Sequence, residues 1–84
     1  MKTETIEIML ENGLDARPVA LLVQEASKYD SKIYMEAGGK KINAKSIMGM
    51  MTLGLNNGEN LTVTAEGEDE DLAMENLKNF LTGK

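Results

Sequence analysis

Gly13-Leu14-Asp15-Ala16-Arg17-Pro18 is where an alternating segment gives way to a helical one, and its reading sets the order of elements on both sides. Asp is among the side chains best suited to the position before a helix, and Pro is tolerated in the first turn, where no intrahelical bond needs its missing N–H. With Asp15 as the N-cap, Pro18 falls at the third helical position. The spacing therefore predicts that the Asp15 carboxylate bonds the Arg17 N–H, since Pro18 offers none.

Toward the N-terminus, Ile6, Ile8 and Leu10 alternate with Glu7 and Met9, which predicts a strand from Thr3 to Leu10 with one buried face, followed by a turn at Glu11-Asn12-Gly13. Toward the C-terminus, Val19, Leu22, Val23 and Ala26 keep the spacing of a helix packed on a sheet, predicted from Ala16 to Tyr29 and ended by Asp30-Ser31. Ala16, Ala20 and Val23 border the exposed side of that helix and leave a small apolar margin beside Arg17.

Farther along, Lys32–Glu36 and Lys40–Asn43 read as two antiparallel strands, with Ile33, Met35 and Ile42 toward the core and Gly38-Gly39 supplying a tight turn. Ser46 opens a short second helix from Ile47 to about Leu53, with Gly54 as its stop. Ile47, Met48, Met50, Met51 and Leu53 cover nearly its whole circumference. A helix this short on a thin domain cannot bury every side, so some of these must be exposed; by spacing Met50 and Leu53 make one face and Ile47, Met48 and Met51 the other. After the turn Asn56-Asn57-Gly58, a fourth strand carries Leu61, Val63 and Ala65 inward. A final helix starts in the acidic segment Gly67–Asp71 and packs through Ala73, Met74, Leu77, Phe80 and Leu81. The order β-α-β-β-α-β-α predicts an α+β fold, a four-stranded antiparallel sheet with three helices on one face.

The 84 residues suffice for one small domain over positions 1–84 and are too few for a deep enclosed active site, so function is expected at the surface. Without Cys, His or Trp the chain lacks disulfides, thiolate nucleophiles, imidazole bases and the usual zinc ligands, and neither a metal nor a cofactor is expected. A net charge of −5 argues against direct binding of nucleic acid. No apolar run approaches the roughly 20 residues needed to cross a bilayer, and Met1-Lys2-Thr3-Glu4 is not a signal peptide; a cytoplasmic location is expected.

Three features bear on chemistry. Ser46, preceded by Lys45 and near Lys40 and Lys41, is either a plain cap or a phosphorylation site, where the phosphate would meet exposed N–H groups. Ile47, Met48 and Met51 are either core or, as favoured here, a contact patch whose flexible Met side chains suit several partners. Arg17 either offsets Asp15 weakly at the surface or presents a planar fork to a partner's phosphate or carboxylate. The acidic run Glu66–Asp71 reads as a solvated helix start.

Gly13-Leu14-x-Ala16-Arg17-Pro18, Leu22-Val23-Gln24-Glu25-Ala26, Gly39 through Gly49 and Ala65 through Glu70 together resemble the HPr family of the bacterial sugar phosphotransferase system, in its Gram-positive form and over essentially the whole chain. The resemblance implies an open-faced β-sandwich and no enzyme activity of the chain's own. Family phosphocarriers use a histidine between the Leu and Ala of the first motif to take phosphate from Enzyme I, and here that position is Asp15. In this respect the sequence is similar to the Crh branch, which also lacks the histidine and keeps the serine; that branch carries a neutral Gln where this chain has Asp. The resemblance implies that Ser46 is phosphorylated by HPr kinase/phosphorylase and that Arg17, Ala20, Val23, Ile47, Met48 and Met51 dock a transcription regulator resembling catabolite control protein A. Two alternatives remain: a phosphocarrier in which Asp15 itself accepts phosphate, and an ordinary HPr in which Asp15, engineered or arisen, mimics the charged state. The chain is expected to be a monomer or a weak dimer formed through unpaired sheet edges.

Overall fold

The alternating segment becomes strand β1, Lys2–Glu7, in a computed structural model that describes residues 1–84. It is followed by α1 (Ala16–Ala26), β2 (Lys32–Ala37), β3 (Lys40–Asn43), α2 (Ile47–Met50), β4 (Asn60–Glu66) and α3 (Glu70–Leu81). This is the predicted order, and the α+β prediction is met. The strands lie in the order β1-β4-β2-β3 with every neighbouring pair antiparallel. The last strand of the sequence thus runs through the middle of the sheet, with Leu61 opposite Ile6 on one side and Ala65 opposite Ile33 on the other.

One face of the sheet presents Ile6, Ile8, Ile33, Met35, Leu61, Val63 and Ala65 to the helices, all buried. Val19, Leu22 and Ala26 of α1, Met50 of α2 and Ala73, Met74, Leu77 and Leu81 of α3 pack against them, and Leu14, Tyr29, Ala44 and Leu55 from the connections complete the core. The opposite face is polar: Thr3 and Thr64 approach oxygen to oxygen at 3.3 Å, and Thr5 and Thr62 at 3.1 Å. This division produces the alternation seen in the sequence. Between β2 and β3, Gly38 and Gly39 take φ of 58° and 81°, the paired positive angles of the turn that matches strand twist.

Several boundaries differ from expectation for local reasons. β1 ends at Glu7 rather than Leu10: Ile8 still exchanges hydrogen bonds with Glu59 and Gly58, but the Met9 N–H donates to the Leu81 carbonyl at 2.8 Å and takes the chain off the sheet toward α3. Helix α1 stops at Ala26 rather than Tyr29, where the Ser27 hydroxyl donates to the Val23 carbonyl at 2.8 Å. Helix α2 closes at Met50, and the turns beyond it reach Leu53 through Thr52, whose N–H and hydroxyl both donate to the Gly49 carbonyl.

The acidic segment before α3 does more than face water. Asp69 makes no cap bond to its own helix; its carboxylate instead accepts from the N–H of Asp30 at 2.9 Å, the N–H of Ser31 at 3.0 Å and the buried Ser31 hydroxyl. The side chain clamps the loop that leads into β2. Those hydrogen bonds, the Ser31 hydroxyl foremost, hold the Asp69 carboxyl below the ordinary value. A second tie joins the end of α1 to α3: the Tyr29 hydroxyl donates to Glu25 Oε2 at 2.7 Å and accepts from Asn76 Nδ2 at 2.6 Å.

Candidate functional site

Two helix starts carry the candidate side chains. Ahead of α1, Leu14 is buried and its N–H donates to the Leu55 carbonyl at 2.7 Å, while the Asp15 carbonyl accepts from the Val19 N–H at 3.0 Å. Backbone contacts thus fix Asp15 from both sides. Its side chain is exposed and makes no cap hydrogen bond, so the expected bond to the Arg17 N–H is absent. Asp15 has extended dihedrals (φ −87°, ψ −167°), and the cap position is filled without its carboxylate. The Arg17 guanidinium is exposed and enters none of the ion pairs of the molecule. Asp15, Arg17 and Pro18 border a groove of about 360 Å³ together with Leu10, Asn12, Leu21 and Phe80. Phe80, expected in the inner stripe of α3, is only half-buried at this groove.

Ahead of α2, Ser46 is exposed and extended, and its Oγ accepts from the Gly49 N–H at 3.3 Å. The N–H groups of Ile47 and Met48 donate to no protein acceptor. Glycine at position 49 lets this turn lie close to β3: a Cβ there would stand 2.8 Å from Ile42 Cγ2. The lysines near Ser46 in sequence are partly engaged elsewhere. Lys45 Nζ donates to the Tyr29 carbonyl at 2.6 Å, and Lys41 Nζ lies 5.1 Å from the centre of the Tyr34 ring. Lys45 therefore ties the residue before Ser46 to the connection that follows α1.

The short helix divides as its spacing predicts. Met50 is buried and Leu53 half-buried, whereas Ile47, Met48 and Met51 are exposed. Helix α1 contacts α2, so the half-buried Ala20 and Val23 lie on the element neighbouring that patch. Val23 is thus marginal rather than core. Sequence reasoning missed the part of the Asp15 groove made by Leu10, Leu21 and Phe80; the available signal was Leu21, a large apolar residue off the buried stripe and about half exposed. No group of three or more Asp or Glu side chains is arranged to hold a metal ion.

The model of the phosphotransferase-system HPr component phosphorylation site matches residues 2–83. The chain belongs to the HPr family. Within HPr proteins it is similar to the HPr-like protein Crh of Halalkalibacterium halodurans, 49% identical over 81 residues that span 96% of each chain. Among solved structures it is similar to the HPr phosphocarrier protein of Bacillus anthracis, with a TM-score of 0.92, 44% identity and 95% of each chain covered. It is also similar to the catabolite-repression protein Crh of Bacillus subtilis, with a TM-score of 0.79, 45% identity and coverage of 100% of this chain and 97% of that one; the Crh structure is described as a domain-swapped dimer. The four-stranded sheet under three helices is the HPr fold. No helix is long and apolar enough to cross a membrane.

Proposed function

We propose that this HPr-family protein is a regulator of carbon catabolite repression, phosphorylated on Ser46 by HPr kinase/phosphorylase and then bound by a transcription regulator resembling catabolite control protein A. The observation that carries the reading is a contrast between the two helix starts. Asp15 stands where the family's phosphocarriers hold their histidine, while Ser46 keeps an exposed hydroxyl beside the exposed Ile47, Met48 and Met51.

In the phosphorylation step Ser46 Oγ attacks the γ-phosphorus of ATP, gives up its proton, and ADP leaves. The new group adds close to two negative charges and three acceptor oxygens. It forms beside the Gly49 N–H that the hydroxyl already meets and the unpartnered N–H groups of Ile47 and Met48, so the backbone need not refold to receive it. The regulator would then cover the apolar side chains of Ala20, Val23, Ile47, Met48 and Met51, with the unpaired Arg17 fork meeting an anionic group of the partner. Contact with DNA is left to the regulator, in keeping with the net charge of −5. The kinase, its ATP and the regulator place the work of this single domain in the cytoplasm.

Histidine phosphocarrier chemistry is absent from this reading. A carboxylate at the family's histidine position lacks the imidazole nucleophile, and it repels an incoming phosphoryl group by about 4 kcal/mol per unit charge at 4 Å near a surface. Incubation with ATP and the kinase, followed by intact-mass and phosphopeptide analysis, should add one phosphate at Ser46 and none to Ser46→Ala. An unmodified Ser46 sinks the proposal. A second reading draws on the exposed, unbonded Asp15 carboxylate next to an unpaired Arg17: Asp15 accepts phosphate from phosphoenolpyruvate through Enzyme I as an acyl phosphate. A hydroxylamine-sensitive label would support it, and its absence ends it.

A further inference from the structure

Met48, Met50 and Met51 fall within four consecutive positions, and the fold treats them differently: Met48 is 80% exposed, Met51 53% and Met50 0%. Met48 and Met51, three residues apart, share the outer side of the turn with Ile47. Of the other methionines, Met35 and Met74 are buried, while Met1 and Met9 are exposed next to α3, where the Met1 amino group meets Glu70 and the Met9 N–H meets Leu81.

We propose that Met48 and Met51 form a reversible oxidation site through which peroxide disables the docking patch. The proposal rests on the reading of that patch given above. A thioether sulfur attacks one oxygen of hydrogen peroxide; the S–O bond forms as the O–O bond breaks. Sulfur is oxidised by two electrons, and the departing hydroxide takes the proton of the transferred oxygen and leaves as water. The product is a polar, chiral sulfoxide in place of a flexible apolar side chain. Covered by an apolar partner surface, the new oxygen has lost water without gaining a donor, so docking is penalised at the point where desolvation is most complete. The sulfur atoms of Met35, Met50 and Met74 lie out of reach, so the core survives the same exposure. Methionine sulfoxide reductases, one for each epimer, return the surface to its apolar state. The patch would then answer to two covalent inputs: phosphate at Ser46 promotes docking, and oxygen on the neighbouring sulfurs opposes it.

The test uses the full-length protein, graded hydrogen peroxide, peptide mass spectrometry and binding of the Ser46-phosphorylated form to the regulator. Sulfoxide should form at Met48 and Met51 at least about tenfold faster than at Met35, Met50 and Met74. The oxidised phosphoprotein should bind at least about tenfold more weakly. Met48→Leu/Met51→Leu, compared with its own untreated form, should show no loss of affinity after peroxide even though Met1 and Met9 are oxidised. Oxidation of Met50 as fast as Met48, affinity that survives oxidation, or a double variant that loses affinity on oxidation as the parent does would each overturn the proposal alone. Failure of the unoxidised phosphoprotein to bind overturns the regulatory reading and the docking consequence together. The two failures are therefore distinguishable.

Discussion

Asp15 and Ser46 both stand before helices, yet only Ser46 uses its side chain as a cap. An exposed carboxylate without a hydrogen bond is replaceable at little cost, so Asp15→His should change stability by no more than about 0.5 kcal/mol. The same change supplies the nitrogen nucleophile of the family's phosphocarriers. Labelling with phosphoenolpyruvate and Enzyme I should give an acid-labile phosphate on Asp15→His and none on the parent at that position. Asp69 is the opposite kind of carboxylate. With the Ser31 hydroxyl and two backbone N–H groups donating to it, its folded pKa lies below the ordinary 3.8. The unfolded chain thus takes up the proton first: this stabilisation is complete above the unfolded pKa and is lost as pH falls through the folded one. Glu25, held low chiefly by the Tyr29 hydroxyl, and Glu70, held low chiefly by the Gly67 N–H, act with the same sign. Urea midpoints of the parent should therefore drop on acidification below the ordinary carboxylate range. Asp69→Ala should be weaker at neutral pH and show a shallower drop; equal slopes would remove Asp69 from this account.

At the scale of elements, the connection from β1 to α1 is tightly constrained at Gly13. Gly13 has φ of +66°, and a Cβ there would stand 2.5 Å from the Leu55 carbonyl oxygen and 2.8 Å from Asn56 Cα. Gly13→Ala should cost about 2 kcal/mol or more in urea unfolding, since both the dihedral and the backbone contact oppose it. Gly38→Ala has open space around its Cβ and should cost less, paying only for its positive φ. The elements themselves were legible because period-2 and helical patterns are local; β3 was placed at its observed bounds, Lys40–Asn43. The ends of β1 and α1 were not, because they depend on Met9 meeting Leu81 and on one hydroxyl of Ser27. The Ile47, Met48 and Met51 patch was legible from geometry, as a short helix has too little circumference to hide so many large side chains. The grip of Asp69 on Ser31 joins positions 38 residues apart, and the Lys45 ammonium turns away to the Tyr29 carbonyl; no pattern along the chain announces either.

For the whole molecule, the strand order sets a gradient of protection. Strand β4 is paired on both sides and its inward residues are fully buried, whereas β1 and β3 each have one free edge. Native-state hydrogen exchange should be slowest at Leu61–Ala65 and fastest in β3 and at the start of β1; an edge strand outlasting β4 would contradict this. The same order has a consequence for synthesis. The ribosome makes β1, α1, β2 and β3 before β4, which occupies residues 60–66. Until those residues emerge, β2 and β3 can form only a hairpin, and β1 has no neighbour to pair with. The nascent chain thus waits with two strand edges facing one unfilled slot, and closure depends on a late segment entering the middle rather than adding to the rim. In a crowded cell, another copy's β4 reaching that slot first would join two chains through the same hydrogen bonds that should have closed one.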